Sequence, residues 1–135
     1  MYLAAPLNRS AMPGASSAIS KAALLTVEGR RQPPRITSHY VDVADPASIA
    51  ACVAEIVAAH GKIDHLVTSA GFTENFPSTE YPVDRIRKLW AVNVDGTYLF
   101  AIEVARHLME RKAPGSMVFI GSMSGAHVNV PQLQT

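Results

Sequence analysis

The hydrophobic and polar positions of the chain follow two periods, one typical of buried strands and one typical of helices. Ile63–Val67 is a short apolar run that ends in Ser-Ala-Gly, a length and boundary that suit a buried parallel strand. Met117–Ile120 has the same form and ends at Gly121. Ile36–Val43 is rich in β-branched and aromatic residues, so it predicts a further strand.

Helical patterns alternate with these strands. Asp45 followed by proline is a typical helix start, and Gly61 is a typical helix end. Apolar residues repeat at helical spacing over Val83–Arg111, which predicts one long helix with Gly96 as its weak point. Ala15–Glu28 also has helical composition. The alternating order predicts a single α/β domain over residues 1–135 with a parallel sheet and right-handed crossovers.

Composition and charge narrow the possible functions. A net charge of +1 offers no electrostatic footprint for nucleic acid or for an anionic membrane, so neither is expected as a partner. No apolar run reaches the length of a transmembrane helix, and a cytoplasmic location is expected. The single cysteine, Cys52, lies on an apolar helical stripe and is expected to be a core thiol. The histidines show no paired metal-ligand spacing, and no metal site is predicted.

Four motifs occur in a fixed order along the chain: Val41-Asp42-Val43, Thr68-Ser69-Ala70-Gly71, Val92-Asn93-Val94 and Gly121-Ser122-Met123-Ser124-Gly125. Together they resemble the motifs of the short-chain dehydrogenase/reductase family. The sequence that flanks them resembles that of the family's fungal NADP-dependent mannitol, sorbose and xylulose reductases. The resemblance covers about residues 36–135. It implies a partial Rossmann-like parallel sheet with flanking helices, from which the first strand and the C-terminal part are missing.

The resemblance also implies a cofactor site. Asp42 would accept a hydrogen bond from the adenine amino group, and Val43 would pack on the adenine face. Ser69, Ala70 and Gly71 would form the turn that lies against the adjoining ribose, because small residues let a cofactor approach the backbone. Such positions lie at the carboxyl ends of parallel strands, where α/β folds bind ligands. The alternative for Asp42 is a helix or turn cap.

By the same resemblance, Ser124 is the best match to the family's catalytic serine, with Ser122 second. Asn93 would hold a water of the proton relay, and its alternative is a buried kink or cap. The family's Tyr-x-x-x-Lys motif would begin thirteen positions after Ser124, which lies beyond Thr135, and none of the 4 tyrosines has a lysine four residues on. Because that tyrosine exchanges the substrate's proton, the 135-residue chain is expected to be inactive.

The N-terminal region allows two alignments with the family. Gly14–Ser20 resembles the family's glycine-rich first turn, which binds pyrophosphate, although two glycines are replaced. Alternatively, Tyr2–Leu7 is the second strand, and Arg9 after it pairs with the 2′-phosphate of NADP. The family's first strand lies between its second and fourth strands. Pro6, where an NAD-selecting acidic residue would stand, favours NADP, with NAD as the alternative.

The resemblance therefore implies an NADP-dependent oxidoreductase that interconverts a ketose or other carbonyl with its alcohol. Its partner would be a small carbonyl or polyol substrate, and a homo-oligomer is possible in such a family. The alternative is a non-catalytic Rossmann-like binding or interaction protein. A serine hydrolase is a poor fit, because Gly121–Gly125 centres on Met123 and forms no Gly-x-Ser-x-Gly elbow.

Overall fold

The first helix forms where its end signals predict it. The computed structural model describes the backbone of residues 2–4 and all of residues 37–126. Helix α1 spans Pro46–His60; at its start the Asp45 carboxylate accepts a hydrogen bond of 3.0 Å from the Ala47 N–H. Gly61 ends the helix with a φ of 80°, a left-handed conformation that glycine adopts without steric cost. Both predicted ends are confirmed.

Three short parallel strands form the described sheet. They are β1, Tyr2–Ala4; β2, His65–Thr68; and β3, Ser116–Phe119, in the spatial order β1-β2-β3. Leu66 at the centre of β2 lies opposite Leu3 of β1 and Met117 of β3. The predicted α/β fold with a parallel sheet is confirmed, and the two predicted apolar runs of residues 63–67 and 117–120 overlap the strands to within two residues at either end.

The long predicted helix is interrupted in its middle. Helix α2 spans Val83–Trp90 and helix α3 spans Gly96–Glu110, and a π-helical turn, Ala91–Asp95, joins them. The Thr97 hydroxyl donates a 3.2 Å hydrogen bond to the Asn93 carbonyl beside this turn. The prediction of one uninterrupted α-helix was therefore wrong over these five residues. π-helical turns occur mostly as single insertions in α-helices, frequently at functional sites.

Two strand predictions need correction. Residues 37–43 form no strand, although Val41 and Val43 are buried. The alternation of buried and exposed positions in residues 41–43 reflects packing onto the core, because no described strand lies beside them to complete a hydrogen-bonded ladder.

The expected strand Tyr2–Leu7 is observed as Tyr2–Ala4, paired directly with β2. That is the place assigned to the family's first strand, so the assignment to its second strand was wrong. The predicted helix Ala15–Glu28 lies outside the described residues.

The core lies between one face of the sheet and helices α1 and α3. Its central side chain is Phe100 of α3, only 1% exposed. The other buried members come from α1, β2, the helical run and the segments before them: Val41, Val43, Ile49, Cys52, Val53, Ile56, Ile63, Leu66, Val92, Val104 and Leu108. Burial and the neighbouring Glu55 raise the pKa of the Cys52 thiol, which confirms it as a core residue and makes its thiolate scarce.

Asp64, just before β2, ties the start of the strand to the end of α3. Its carboxylate lies 2.8 Å from the Lys62 ammonium and 3.3 Å from the Arg111 guanidinium, which also donates to the Ile63 carbonyl. The hydrogen bonds from Lys62 and then Arg111 hold the pKa of Asp64 well below its ordinary value. The ionised form is therefore stabilised in the folded chain.

The stability of the chain is expected to depend on the ionisation of Asp64. Because the folded-state pKa of Asp64 is depressed, its contribution is present above the unfolded pKa, about 4, and is lost as the pH falls towards the folded value. The free energy of unfolding, measured with urea from pH 6 to pH 2, should fall less steeply in Asp64→Asn than in the parent chain. Glu110→Gln, an exposed control on α3, should keep the parental slope. Equal slopes in all three proteins would contradict the role of Asp64.

Candidate dinucleotide-binding and active site

The predicted cofactor turn and the predicted catalytic turn leave the sheet at the same edge. Thr68 ends β2 opposite Phe119 of β3, and the Ile120 N–H donates a 3.0 Å hydrogen bond to the Thr68 carbonyl. The ladder thus continues one residue beyond β3. Residues 69–71 and 121–124 therefore begin side by side at the carboxyl edge of the parallel sheet, the edge at which open α/β folds bind ligands.

Asn93 fixes the cofactor turn through both atoms of its amide. Its side-chain oxygen accepts a 3.0 Å hydrogen bond from the Phe72 N–H, and its nitrogen donates a 2.8 Å hydrogen bond to the Phe72 carbonyl. A Cβ added at Gly71 would lie 3.3 Å from the Asn93 side-chain oxygen, so the turn packs closely on the amide. Of the two predicted roles of Asn93, the structure shows a structural one, and the water-holding role stays a prediction.

Gly96, one turn further along the same helical run, contacts the other predicted cofactor segment. A Cβ built on Gly96 would lie 2.7 Å from the Val43 carbonyl oxygen, which leaves no room for a side chain. Asn93 and Gly96 are three residues apart and therefore share a face. This face holds the Gly71 turn through Asn93 and the Val43 turn through Gly96, so the two predicted segments are brought to one helix.

Asp42 acts as a turn cap in this structure. Its carboxylate accepts a 3.0 Å hydrogen bond from the Ala44 N–H, and its own N–H donates a 2.9 Å hydrogen bond to the Ser48 hydroxyl. Its carbonyl accepts from the Asp45 N–H, which leads the chain into α1. The turn-cap alternative is therefore observed. A hydrogen bond to adenine would be a second task of the same carboxylate and stays a prediction.

The other predicted cofactor residues differ in their exposure. Ser69 is exposed, and Ala70 and Gly71 are half-buried, so a ligand can reach the turn. Val43 is only 1% exposed and belongs to the core, so its side chain offers no surface on which an adenine ring could pack. Packing of the Val43 side chain on adenine needs a rearrangement of the core. Arg9 lies outside the described residues.

Ser122 and Ser124 have different roles in the turn after β3. The Ser122 hydroxyl accepts a 3.1 Å hydrogen bond from the Ser124 N–H and caps the 3₁₀ turn Met123–Gly125. Ser124 is half-buried within that turn. Ser122 therefore serves as the cap of this turn, and the assignment of Ser124 as the serine that contacts a substrate stays a prediction.

Three features of the site were not predicted from the sequence. Glu74 forms a bidentate ion pair with Arg85 at the start of α2, which holds the loop between the cofactor turn and that helix. The Thr68 hydroxyl and the Tyr81 hydroxyl are buried without a hydrogen-bond partner among the residues described. Glu74 and Arg85 are eleven positions apart, beyond the spacing of helical neighbours, and no local pattern reveals a buried hydroxyl without a partner.

The small residues of this edge fit a bound dinucleotide. Ala70 and Gly71 are half-buried and carry little or no side chain, and a Cβ at Gly121 would meet nothing within 4 Å, so there is open space beside Gly121. Within residues 37–126, no group of three or more His, Cys, Asp or Glu residues is arranged to hold a metal ion. Among the helices described, none is both long and apolar enough to cross a membrane.

Comparison with known proteins establishes the family. The family model described as short chain dehydrogenase matches residues 14–134, so the chain belongs to the short-chain dehydrogenase/reductase family of oxidoreductases. The match begins earlier than residue 36, where the resemblance was placed, and includes the Gly14–Ser20 segment. That segment lies outside the described residues.

Several relatives act on sugars and polyols. The chain is 37% identical over 106 residues to an NADH-dependent L-xylulose reductase of Ambrosiozyma monospora. The aligned region covers 77% of this chain and 39% of that relative. The chain is also 36% identical over 101 residues to a ribulose-forming D-arabinitol 2-dehydrogenase of Scheffersomyces stipitis, covering 74% of this chain and 36% of the relative. The chain thus spans less than two fifths of the length of these relatives.

A solved structure agrees with the fold. The crystal structure of a gluconate 5-dehydrogenase of Burkholderia cenocepacia J2315, in complex with NADP and tartrate, superimposes with a TM-score of 0.61 at 34% identity. The superposition covers 68% of this chain and 35% of that protein. The described sheet and its helices are therefore part of a Rossmann-like dinucleotide fold.

Proposed function

We propose that this chain forms part of the cofactor and substrate site in an NADP-dependent reductase that interconverts a ketose with its alcohol. The observation that carries the proposal is the convergence of the Gly71 turn and the Ser124 turn at one sheet edge, with Asn93 fixing the first of them. The names of the relatives, an L-xylulose reductase and a D-arabinitol 2-dehydrogenase, support a ketose or polyol as the substrate.

The residues of this chain would bind and orient the reactants. Ser69, Ala70 and Gly71 would receive the ribose of the cofactor, and the Asp42 carboxylate would accept from adenine while capping its own turn. Ser124 would donate a hydrogen bond to the substrate oxygen and polarise it, and Asn93 would hold a water. The dinucleotide supplies the hydride when it is bound.

The location and assembly of the protein are also part of the proposal. A cytoplasmic location agrees with a single cysteine that is buried as a free thiol. Trp90, Val94 and Tyr98 are each more than half exposed and recur every four residues along the helical run. An exposed apolar stripe of this kind supports a homo-oligomer.

Cofactor binding at the Gly71 turn tests the proposed site. Calorimetric titration of the 135-residue chain should show NADPH binding that Gly71→Val weakens by about tenfold or more, because a branched side chain fills the space beside the turn. Gly125→Val, where an added Cβ meets nothing within 4 Å, is the matched control. Binding of neither NADPH nor NADH, or equal binding by both variants, would overturn the proposed site.

The pairing of Arg9 with the 2′-phosphate of NADP depended on the second-strand alignment of Tyr2–Leu7, which the direct pairing of β1 with β2 contradicts, so Arg9 is not part of the proposed site. In an assay that follows NADPH oxidation, a polypeptide of these 135 residues should show no turnover with L-xylulose or D-ribulose, since none of its tyrosines has a lysine four residues further on. Saturable turnover would contradict this expectation.

A further inference from the structure

A second cluster of polar side chains lies at the opposite end of α1 from the proposed cofactor site. His60 and Glu55 belong to the C-terminal half of α1, and Thr37 and His39 precede the segment that leads to Asp42. A helix rises about 1.5 Å per residue, so His60 is roughly 20 Å along α1 from Asp45. The cluster is therefore separate from the residues that the proposed function uses.

The two histidines of this cluster point the same ring atom at one position. The Thr37 hydroxyl oxygen lies 3.0 Å from Nε2 of His39 and 2.7 Å from Nε2 of His60. The two residues are 21 positions apart in the sequence, so no local spacing reveals the pair. A small atom in the place of the hydroxyl would have two imidazole nitrogens converging on it.

A carboxylate orients one of the two rings. Nδ1 of His39 lies 3.3 Å from a carboxylate oxygen of Glu55. An ionised carboxylate only accepts hydrogen bonds, so the ring proton of His39 is assigned to Nδ1 and a lone pair remains on Nε2. The Thr37 hydroxyl then donates its one proton to Nε2 of His39 and accepts from Nε2 of His60, and His60 would bind a metal through Nε2 in its other neutral tautomer, with the proton on Nδ1. A histidine that ligates a metal through one ring nitrogen almost always donates from the other nitrogen to such a partner. The side chain of His39 is only 18% exposed, which limits its rotation.

We propose that His39 and His60 bind a first-row divalent transition-metal ion that displaces the Thr37 hydroxyl, with Glu55 as the outer partner of His39. The Nε2 atoms would move inward by less than about 1 Å, because the metal–nitrogen distance is about 2.0–2.1 Å. Water completes the coordination, since two protein ligands fall short of a closed site. Imidazole ligands suit copper, nickel and zinc, and copper binds most tightly in this series. The bound ion would fasten the segment before Asp42 to the end of α1.

Calorimetric titration of the untagged chain with Cu²⁺, Ni²⁺ and Zn²⁺ tests this site. One equivalent of metal should bind, with Cu²⁺ tightest. His39→Gln and His60→Gln should each weaken binding by more than about tenfold, and Glu55→Gln by about tenfold, as for other outer partners of ligating histidines. His65→Gln is the matched control, because His65 pairs with the Ser116 hydroxyl, at 2.7 Å, in the sheet. It should bind metal as the parent does.

Thr37→Ala separates a metal site from a simple hydrogen-bonded contact. The variant loses the hydroxyl that joins the histidines, so a contact without metal affinity would show weaker thermal stability and no metal effect. A metal site should instead bind the ions at least as tightly as in the parent, and the ions should raise the melting temperature. Absence of saturable binding, binding that survives in both histidine variants, or equal loss in His65→Gln would overturn the proposal.

Discussion

Replacing Asn93 by alanine should destabilise the chain by about 3 kcal/mol, because the substitution leaves two polar groups of the Phe72 backbone without their partners. One side-chain amide satisfies both the N–H and the carbonyl of Phe72. An unpaired, partly buried backbone group costs about 1–3 kcal/mol. Urea denaturation followed by circular dichroism measures the change directly.

Two further variants make the Asn93 prediction specific. Asn93→Asp retains an acceptor for the Phe72 N–H but loses the donor to the Phe72 carbonyl, so its stability should lie between those of the parent and of Asn93→Ala. Asn75→Ala changes an exposed asparagine of the same loop and should cost less than about 0.5 kcal/mol. A loss in Asn93→Ala no greater than that in Asn75→Ala would show that the bidentate contact contributes nothing.

Gly96→Ala should also lower stability, by about 1 kcal/mol, although alanine is the better helix former. The added Cβ would lie 2.7 Å from the Val43 carbonyl oxygen, and a backbone atom cannot move aside as the end of a flexible side chain can. Overpacking of this kind costs about 1–3 kcal/mol, whereas a helical alanine gains about 1 kcal/mol over glycine. The sign of the effect therefore reports the close packing of the helix on the Val43 turn.

The control for Gly96→Ala is Gly121→Ala, where an added Cβ meets no atom within 4 Å. This variant should stay within about 0.5 kcal/mol of the parent. Stabilisation by Gly96→Ala would mean that the Val43 turn can retreat from the helix. Gly96→Ala and Asn93→Ala should also weaken NADPH binding, because each loosens a segment that the proposed site needs.

Local sequence signals determined the regular elements of this protein. Asp45, Pro46 and Gly61 set the ends of α1 because caps depend on a few neighbouring residues. The apolar runs that became β2 and β3 were identifiable from their length and hydrophobicity, although only β2 has fully buried residues and β3 is mostly exposed. The ordered motifs pointed to the family that the comparisons then established.

Tertiary contacts decided what each of those residues does. The π-helical turn at Asn93 was not predicted, because the amide of Asn93 is held by the distant backbone of Phe72 rather than by its helical neighbours. Val43 was expected to face a ligand, yet its burial follows from Gly96, which lets a helix approach it from far along the chain. The strand assigned to residues 36–43 failed for the same reason, since a ladder requires a partner that the sequence pattern does not name.

The sequence by itself therefore determined which segments are helices and strands, which family the motifs resemble, and which residue types stand at the carboxyl edge of the sheet. Only the tertiary structure decided that Asn93 holds the cofactor turn, that Asp42 caps its own turn, and that His39 and His60 converge on one point. The physical reason is the sequence separation over which each kind of interaction acts. Capping and periodicity act over a few residues, whereas these contacts join side chains and backbone groups that are adjacent only after the chain has folded.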